Sequence, residues 1–168
     1  LLLGCDFIEV YIGEIDFILD KFTDILPQIW VEFFLSERVN ECYKNLIPNM
    51  RKEFDKFAFS RGLEGIWKLV NAANAYIDVQ APWGLKKTDV ARMETVLYVL
   101  AETIRCLGIA VQSIVPESAA RMLDQVSVPL DKRQYAHISP DNALVAGTAL
   151  PAPTGIFPRI QPIDEKVA

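Results

Sequence analysis

Histidine and cysteine are scarce in this 168-residue chain, which contains one histidine and three cysteines. The cysteines, Cys5, Cys42 and Cys106, are odd in number and are not spaced as metal ligands, so we interpret them as reduced thiols of a cytosolic protein. The lone His137 leaves little scope for a histidine-based triad or a zinc site. No nucleophile–base pair or carboxylate dyad can be assembled with any specificity. A free-standing enzyme is therefore the least favoured interpretation.

The chain also lacks a hydrophobic run long enough to span a bilayer. The stretch from Cys106 to Pro116 is only eleven residues long, whereas a membrane-spanning helix needs about 20 apolar residues. Residues 1–3 carry neither a basic region nor an initiator methionine, which is typical of a fragment end and not of a signal peptide. We therefore expect a soluble, cytoplasmic protein with no membrane partner.

The formal net charge is −5, which by itself argues against a nucleic-acid binder. The distribution of charge changes that conclusion. Residues 1–42 contain nine acidic and two basic residues, whereas residues 44–92 contain nine basic and five acidic ones. Because the local potential decides where a polyanion docks, residues 44–92 are a candidate surface for nucleic acid.

Composition divides the chain into three segments. Residues 1–42 are acidic and apolar with helical periodicity, residues 43–127 form a helical domain, and residues 128–168 form an extended tail with six of the ten prolines. We expect Asp131 and His137, both in the tail, to face solvent. The predicted fold is an all-α bundle of about four or five helices followed by this tail.

Four helices are predicted after the acidic segment. The first covers Asn49 to Phe57. The second is a long helix capped by Ser60 and ended by Pro82, and the third is a long helix capped by Thr88 or Asp89 that extends to about Gln112. The fourth is a short helix from Pro116 to Leu123. Apolar residues spaced by three and four predict a buried stripe on the helix before Pro82: Leu63, Ile66, Trp67, Val70, Ala73 and Ile77. Gly62 and Gly65 predict that a neighbouring helix approaches this one closely.

The most informative segment runs from Asn74 to Lys86, where an amphipathic helix ends on a proline. Trp83 follows that proline, and Lys86 and Lys87 come three and four residues later, so an aromatic ring and positive charge lie at one helix end. This combination suits a nucleotide base and its phosphate. The alternatives remain open: Trp83 could plug the end of the bundle, the lysines could be solvated, and Asn74 is expected to be a hydrogen-bonded core amide.

Several separate motifs are similar to methionyl-tRNA synthetases of the bacterial type. The matching segments, which together cover roughly residues 50–160, are 63–67, 73–78, 81–86, 95–107, 115–116, 122–123 and 150–160. They agree with that family in both order and spacing.

The resemblance implies a domain that reads the CAU anticodon, with Trp83 stacked on the first anticodon base and Lys86 and Lys87 as possible phosphate contacts. Its implied partners are the initiator and elongator methionine tRNAs and the catalytic domain of the same enzyme. ATP and methionine would bind that catalytic domain, so we expect no cofactor, no metal and no catalytic residue in this chain, and no activity from it alone. Family analogy also packs the tail around Phe157 on the catalytic domain, so without it Ile156 and Phe157 are expected to be mobile.

The chain departs from the family pattern in two respects. It has neither the His-Ile-Gly-His-type motif nor the Lys-Met-Ser-Lys-Ser-type loop of the catalytic domain. The family also pairs its tryptophan with an asparagine and an arginine four residues apart, whereas the only arginine in residues 1–42 is Arg38, and position 34 is Phe34. A fragment, a diverged paralogue or a disrupted reading frame would each explain these departures.

The alternative function is a helical interaction or structural module, with an exposed patch around Phe33 and Phe34, or a non-functional remnant. In either case the chain would not bind tRNA.

Overall fold

The computed structural model describes residues 37–145 and 147–157, and the side chains from residue 44 onward. The predictions made for the acidic segment, including the patch at Phe33 and Phe34 and the missing asparagine–arginine pair, lie outside this part. The segment boundaries at 42/43 and 127/128 stay predictions.

The described residues form α-helices and short 3₁₀ turns, without a β-strand. The helices are α1 (Glu37–Phe54), α2 (Phe59–Gln80), α3 (Pro82–Thr88), α4 (Val90–Val111) and α5 (Pro116–Gln125), and 3₁₀ turns follow at Leu130–Lys132, Tyr135–His137 and Pro140–Asn142. The predicted all-α class is confirmed, and the five α-helices of the described residues fit the predicted four or five, although α3 was not among the helices predicted after the acidic segment.

Helix α1 begins earlier than predicted and passes through Pro48. The proline ring removes one backbone hydrogen bond, but Leu46 and Met50 on either side of it are buried and hold α1 in the core. The next predicted start was also wrong, because the N-cap of α2 is Ala58 and Ser60 lies inside the helix. The turn before it places Phe57 in the left-handed region, with φ 57°.

Helix α2 buries a stripe at the predicted spacing: Gly62, Ile66, Leu69, Ala73 and Ile77. Of the predicted stripe, Ile66, Ala73 and Ile77 are buried, whereas Leu63 and Val70 are half-buried and half of the Trp67 surface is exposed. The glycine prediction is confirmed at Gly62, where an added Cβ would lie 2.3 Å from a ring carbon of Phe54, and is wrong at Gly65, where it would meet no atom within 4 Å.

Helix α4 is the central helix of the described part. Of the two predicted caps, Thr88 and Asp89, it is Asp89 that caps the helix, by accepting a hydrogen bond from the Arg92 amide at 3.0 Å. The spacing of apolar residues predicts one buried face on this helix: Met93, Leu97, Leu100, Ile104, Leu107 and Val111. The first five are buried and Val111 is half-buried, but nearly every other position from Met93 to Ala110 is buried too, because neighbouring elements pack around the helix. Cys106 is fully buried, and its thiol donates to the Glu102 carboxylate at 3.9 Å.

Two charged side chains lie inside this core. Glu102 and Arg105 are each 1% exposed and form an ion pair one helical turn apart. The Arg105 Nε donates to both carboxylate oxygens at 2.9 Å. Burial raises the pKa of the Glu102 carboxyl, and the Arg105 guanidinium opposes that rise.

The same pair fastens the tail to α4. The Leu144 amide donates to Glu102 at 3.1 Å, Arg105 Nη1 donates to the His137 carbonyl at 2.7 Å, and the Tyr98 hydroxyl donates to the Leu144 carbonyl at 2.8 Å. These contacts satisfy buried polar groups of both partners, so the tail is part of the folded domain.

Two predictions for the tail are corrected. His137 is half-buried instead of facing solvent, because its carbonyl accepts from Arg105 and its Nδ1 accepts from the Gln134 amide at 3.2 Å; Asp131 is exposed as expected. Ile156 was expected to lack a partner, but it is 3% exposed and belongs to the hydrophobic core. Phe157 next to it is 42% exposed.

Candidate nucleic-acid interface

The candidate interface lies at the junction of α2 and α3. Gln80 is the last residue of α2, and Ala81 adopts the left-handed conformation with φ 44° and ψ 60°. The Ala81 amide closes α2 by donating to the Ile77 carbonyl at 2.8 Å. Pro82 was predicted to end the helix, and it does, since a proline disfavours the right-handed helical conformation in the residue before it. The chain then starts a new helix immediately, with the buried Pro82 as its first residue.

Trp83 is the second residue of α3 and is 52% exposed. The sequence predicts Trp83 just beyond the end of a helix, whereas it stands on the first turn of a new one. Pro82 before it is buried, and Leu85 after it packs partly buried against the hydrophobic core. The backbone that carries the indole ring is therefore anchored, while half of the tryptophan surface stays accessible. An anchored, accessible aromatic side chain is the geometry that stacking on an unpaired base requires.

Lys86 and Lys87 form the last turn of α3 together with Thr88. Both lysines are exposed, and they follow Trp83 within one turn of helix. Asp78 on α2 and the capping Asp89 are exposed as well, so the charge around the tryptophan is mixed. The structure therefore brings together the three residues that the sequence analysis selected.

A side-chain hydrogen bond joins the two ends of this region. The Arg92 guanidinium, on the first turn of α4, donates through Nη2 to the Gln80 side-chain oxygen at 2.7 Å. The segment between these two residues includes Ala81 and all of α3. Both side chains are half-buried. The Arg92 backbone amide is used separately, in the cap with Asp89.

Tyr76 lies one turn before the end of α2 and packs partly buried against the core. Its hydroxyl is buried and has no hydrogen-bond partner within the described residues. Burial raises the pKa of Tyr76 to about 12, because the phenolate would lose its hydration. Asn74, on the same helix, is half-buried rather than fully in the core.

Gln80 and Arg92, which lie twelve residues apart, could not be paired from the sequence. Their contact depends on the angle at which α2 and α4 meet, and no local pattern carries that information. Glu102 and Arg105 were also not predicted as a pair, although two opposite charges three residues apart in an apolar helix indicate an ion pair.

Among residues 37–145 and 147–157, no group of three or more His, Cys, Asp or Glu residues is arranged to hold a metal ion. No helix of that part is both long and apolar enough to cross a membrane.

Comparison with known proteins connects this geometry to one family. The profile described as the anticodon binding domain of methionyl tRNA ligase matches residues 35–168. The methionine–tRNA ligase of Mesorhizobium japonicum is 53% identical over 97 residues, which are 58% of this chain and 19% of the relative. That of Brucella suis is 48% identical over 120 residues, which are 71% of this chain and 23% of the relative. The chain thus spans about a fifth of the length of these relatives.

Solved structures agree with the sequence matches. The free-state methionyl-tRNA synthetase of Mycobacterium tuberculosis aligns with 96% of this chain and 33% of its own, at a TM-score of 0.77 and 31% identity. The same enzyme bound by methionyl-adenylate aligns with 73% of this chain and 25% of its own, at a TM-score of 0.68 and 36% identity. The match of profile, sequence and fold shows that the chain belongs to the family of anticodon-binding domains of methionyl-tRNA ligases.

Proposed function

We propose that this chain recognises the anticodon of methionine tRNAs, as the anticodon-binding part of a methionine–tRNA ligase. The observation that carries the proposal is Trp83, half exposed on the anchored first turn of α3, with Lys86 and Lys87 one turn further on. The membership of the chain in the anticodon-binding family supports it.

Trp83 would supply the affinity for an unpaired base. Stacking of a base on an aromatic side chain contributes about 1–3 kcal/mol and tolerates any base. The proposed base is the first of the CAU anticodon. Lys86 and Lys87 would contact phosphates of the loop, which adds affinity that decreases with salt but carries no sequence information.

The remaining steps of aminoacylation are proposed for other parts of the same enzyme. ATP and methionine would bind a catalytic domain, and this chain would hold the initiator or elongator methionine tRNA while the reaction proceeds there. Phe157, 42% exposed beside the buried Ile156, is the proposed contact with that domain. Because methionyl-tRNA formation serves translation, the proposed location is the cytoplasm.

The proposal is tested by direct binding of the purified chain to an anticodon stem-loop carrying CAU. A second stem-loop with a changed first anticodon base measures selectivity. If Lys86 and Lys87 each contact one phosphate of a single-stranded loop, a fourfold increase in salt weakens binding by about sevenfold. Trp83→Ala is expected to weaken binding by about tenfold or more, the equivalent of one lost stacking contact.

Trp67→Ala is the matched control, because Trp67 is 50% exposed and Trp83 is 52% exposed, on adjacent helices. The control should bind like the parent chain. Trp83→Phe should keep part of the affinity, since a smaller ring still stacks. Absence of binding to either stem-loop, or equal losses in the Trp67 and Trp83 variants, would contradict the proposal. Absent binding would favour the alternative, a helical interaction module or a remnant.

A further inference from the structure

We propose that Gln80 and Arg92 are positioning residues that hold Trp83 in the orientation used for base stacking. This inference rests on the proposed function for its role in RNA binding. Its structural part, the orientation of the indole ring, can be measured without RNA. Neither residue is proposed to touch the nucleic acid.

Helix α3 is only seven residues long. A seven-residue helix is far too short to be stable by itself, because isolated helices below about 12 residues are marginal in water. The orientation of α3, and with it that of Trp83, must therefore be set by contacts with the rest of the bundle. The buried Pro82 and the partly buried Leu85 supply two of these contacts on the inner side.

The backbone at Ala81 adopts an uncommon conformation. Its φ of 44° lies in the left-handed region, which a residue with a Cβ adopts only at an energetic cost. Such a conformation persists when the surrounding structure determines it from both sides. Pro82 is buried on one side of Ala81, and on the other side the Gln80 side chain is held by Arg92 at 2.7 Å.

The side chains of Gln80 and Arg92 connect the two ends of the segment that contains α3. The Gln80–Arg92 hydrogen bond joins the last residue of α2 to the first turn of α4, and α3 lies between them in the chain. Arg92 is itself held by its backbone amide, which donates to Asp89 at 3.0 Å. The clasp, meaning the side chains of Gln80 and Arg92, thus ties both ends of the segment that carries Trp83 to two long helices.

Acrylamide quenching of Trp83 fluorescence tests the clasp directly. The chain also contains Trp30 and Trp67, so the measurements use a Trp30→Phe/Trp67→Phe background. Gln80→Ala and Arg92→Ala should each speed quenching to the same extent, and the double variant should add nothing further. Gln80→Glu should retain the quenching rate of the parent, because a carboxylate accepts a stronger hydrogen bond from the guanidinium. Circular dichroism at the working temperature verifies that each variant is folded.

Binding to the CAU stem-loop then separates positioning from direct contact. Gln80→Ala removes no charge, so it should weaken binding by about fivefold, the equivalent of one hydrogen bond, with the salt dependence unchanged. If Arg92→Ala weakens binding and flattens the salt dependence while Gln80→Ala does neither, Arg92 contacts a phosphate and the inference is wrong. Unchanged quenching in both single variants also overturns it. If the parent chain binds no stem-loop, the proposed function fails, and the quenching data alone decide whether the clasp orients Trp83.

Discussion

Glu102→Gln should destabilise this domain more than any surface substitution, because it removes one charge of a buried pair. The parent carboxylate accepts three hydrogen bonds from Arg105 and one from the Leu144 amide. Both charged side chains are 1% exposed, so water cannot replace the lost contacts. The variant keeps the shape of the side chain but places an amide NH₂ among donors and leaves the Arg105 charge uncompensated.

The expected loss follows from that burial. Breaking a buried ion pair by neutralising one partner costs about 3–5 kcal/mol. A domain of this size is stable by only about 5–15 kcal/mol in total. The variant should therefore unfold at a markedly lower urea concentration. Because Glu102 also holds Leu144, the tail around residues 137–144 should exchange its amide hydrogens faster than in the parent.

The assay is urea unfolding followed by circular dichroism, carried out on Glu102→Gln, Arg105→Met and the double variant. The two single losses should not add, because the second substitution removes the charge that the first one left unpaired. Hydrogen exchange of the Leu144 amide reports on the tail separately. A loss below about 1 kcal/mol for Glu102→Gln would refute the reasoning, since that is the value expected of an exposed pair. Additive losses would refute it as well.

Further substitutions test helix packing and the unpaired hydroxyl. Gly65→Ala should raise the free energy of unfolding by about 1 kcal/mol, because the added Cβ meets no atom within 4 Å and alanine favours the helix. Gly108→Ala should lower it by up to about 2 kcal/mol, because that Cβ would lie 2.8 Å from the buried Leu123 and the overpacking exceeds the gain in helix propensity; urea titrations in which both variants shift in the same direction would contradict this pair. Tyr76→Phe should cost nothing or stabilise by up to about 1 kcal/mol, since the lost hydroxyl makes no hydrogen bond in the described part. The pKa of Tyr76 is raised from 10.0 to about 12. Ionisation of this hydroxyl therefore leaves the free energy of unfolding unchanged below pH 10 and lowers it as the pH rises towards 12. The phenylalanine variant should therefore lose less stability over that range, and an equal decline in both proteins would contradict the assignment.

Features that depend on neighbours in the chain could be predicted from the sequence. The end of α2 before Pro82, the cap at Asp89 and the start of α5 at Pro116 were all predicted correctly. Each follows from local sterics or from one local hydrogen bond. The candidate site was found because Trp83, Lys86 and Lys87 lie within five consecutive residues, so that any fold brings them together.

Features that depend on packing could not be predicted in the same way. Helical periodicity placed Trp67 on the edge of the buried stripe, and only the positions of the neighbouring helices decided that half of it is exposed. Periodicity also gave α4 a single apolar face, whereas the surrounding elements bury it almost all round, Glu102 and Arg105 included. The burial of Ile156 depends on the path of the tail back to the core.

The sequence by itself determined the helical class, the end of one helix at Pro82 and which residues are proposed to contact a base and its phosphates. Those properties reside in backbone sterics and side-chain chemistry, which act over a few residues. The tertiary structure decided which side chains are accessible, that Gln80 meets Arg92, and that a buried charge pair fastens the tail to α4. These properties arise from contacts between residues far apart in the chain, and their geometry exists only after the helices have packed.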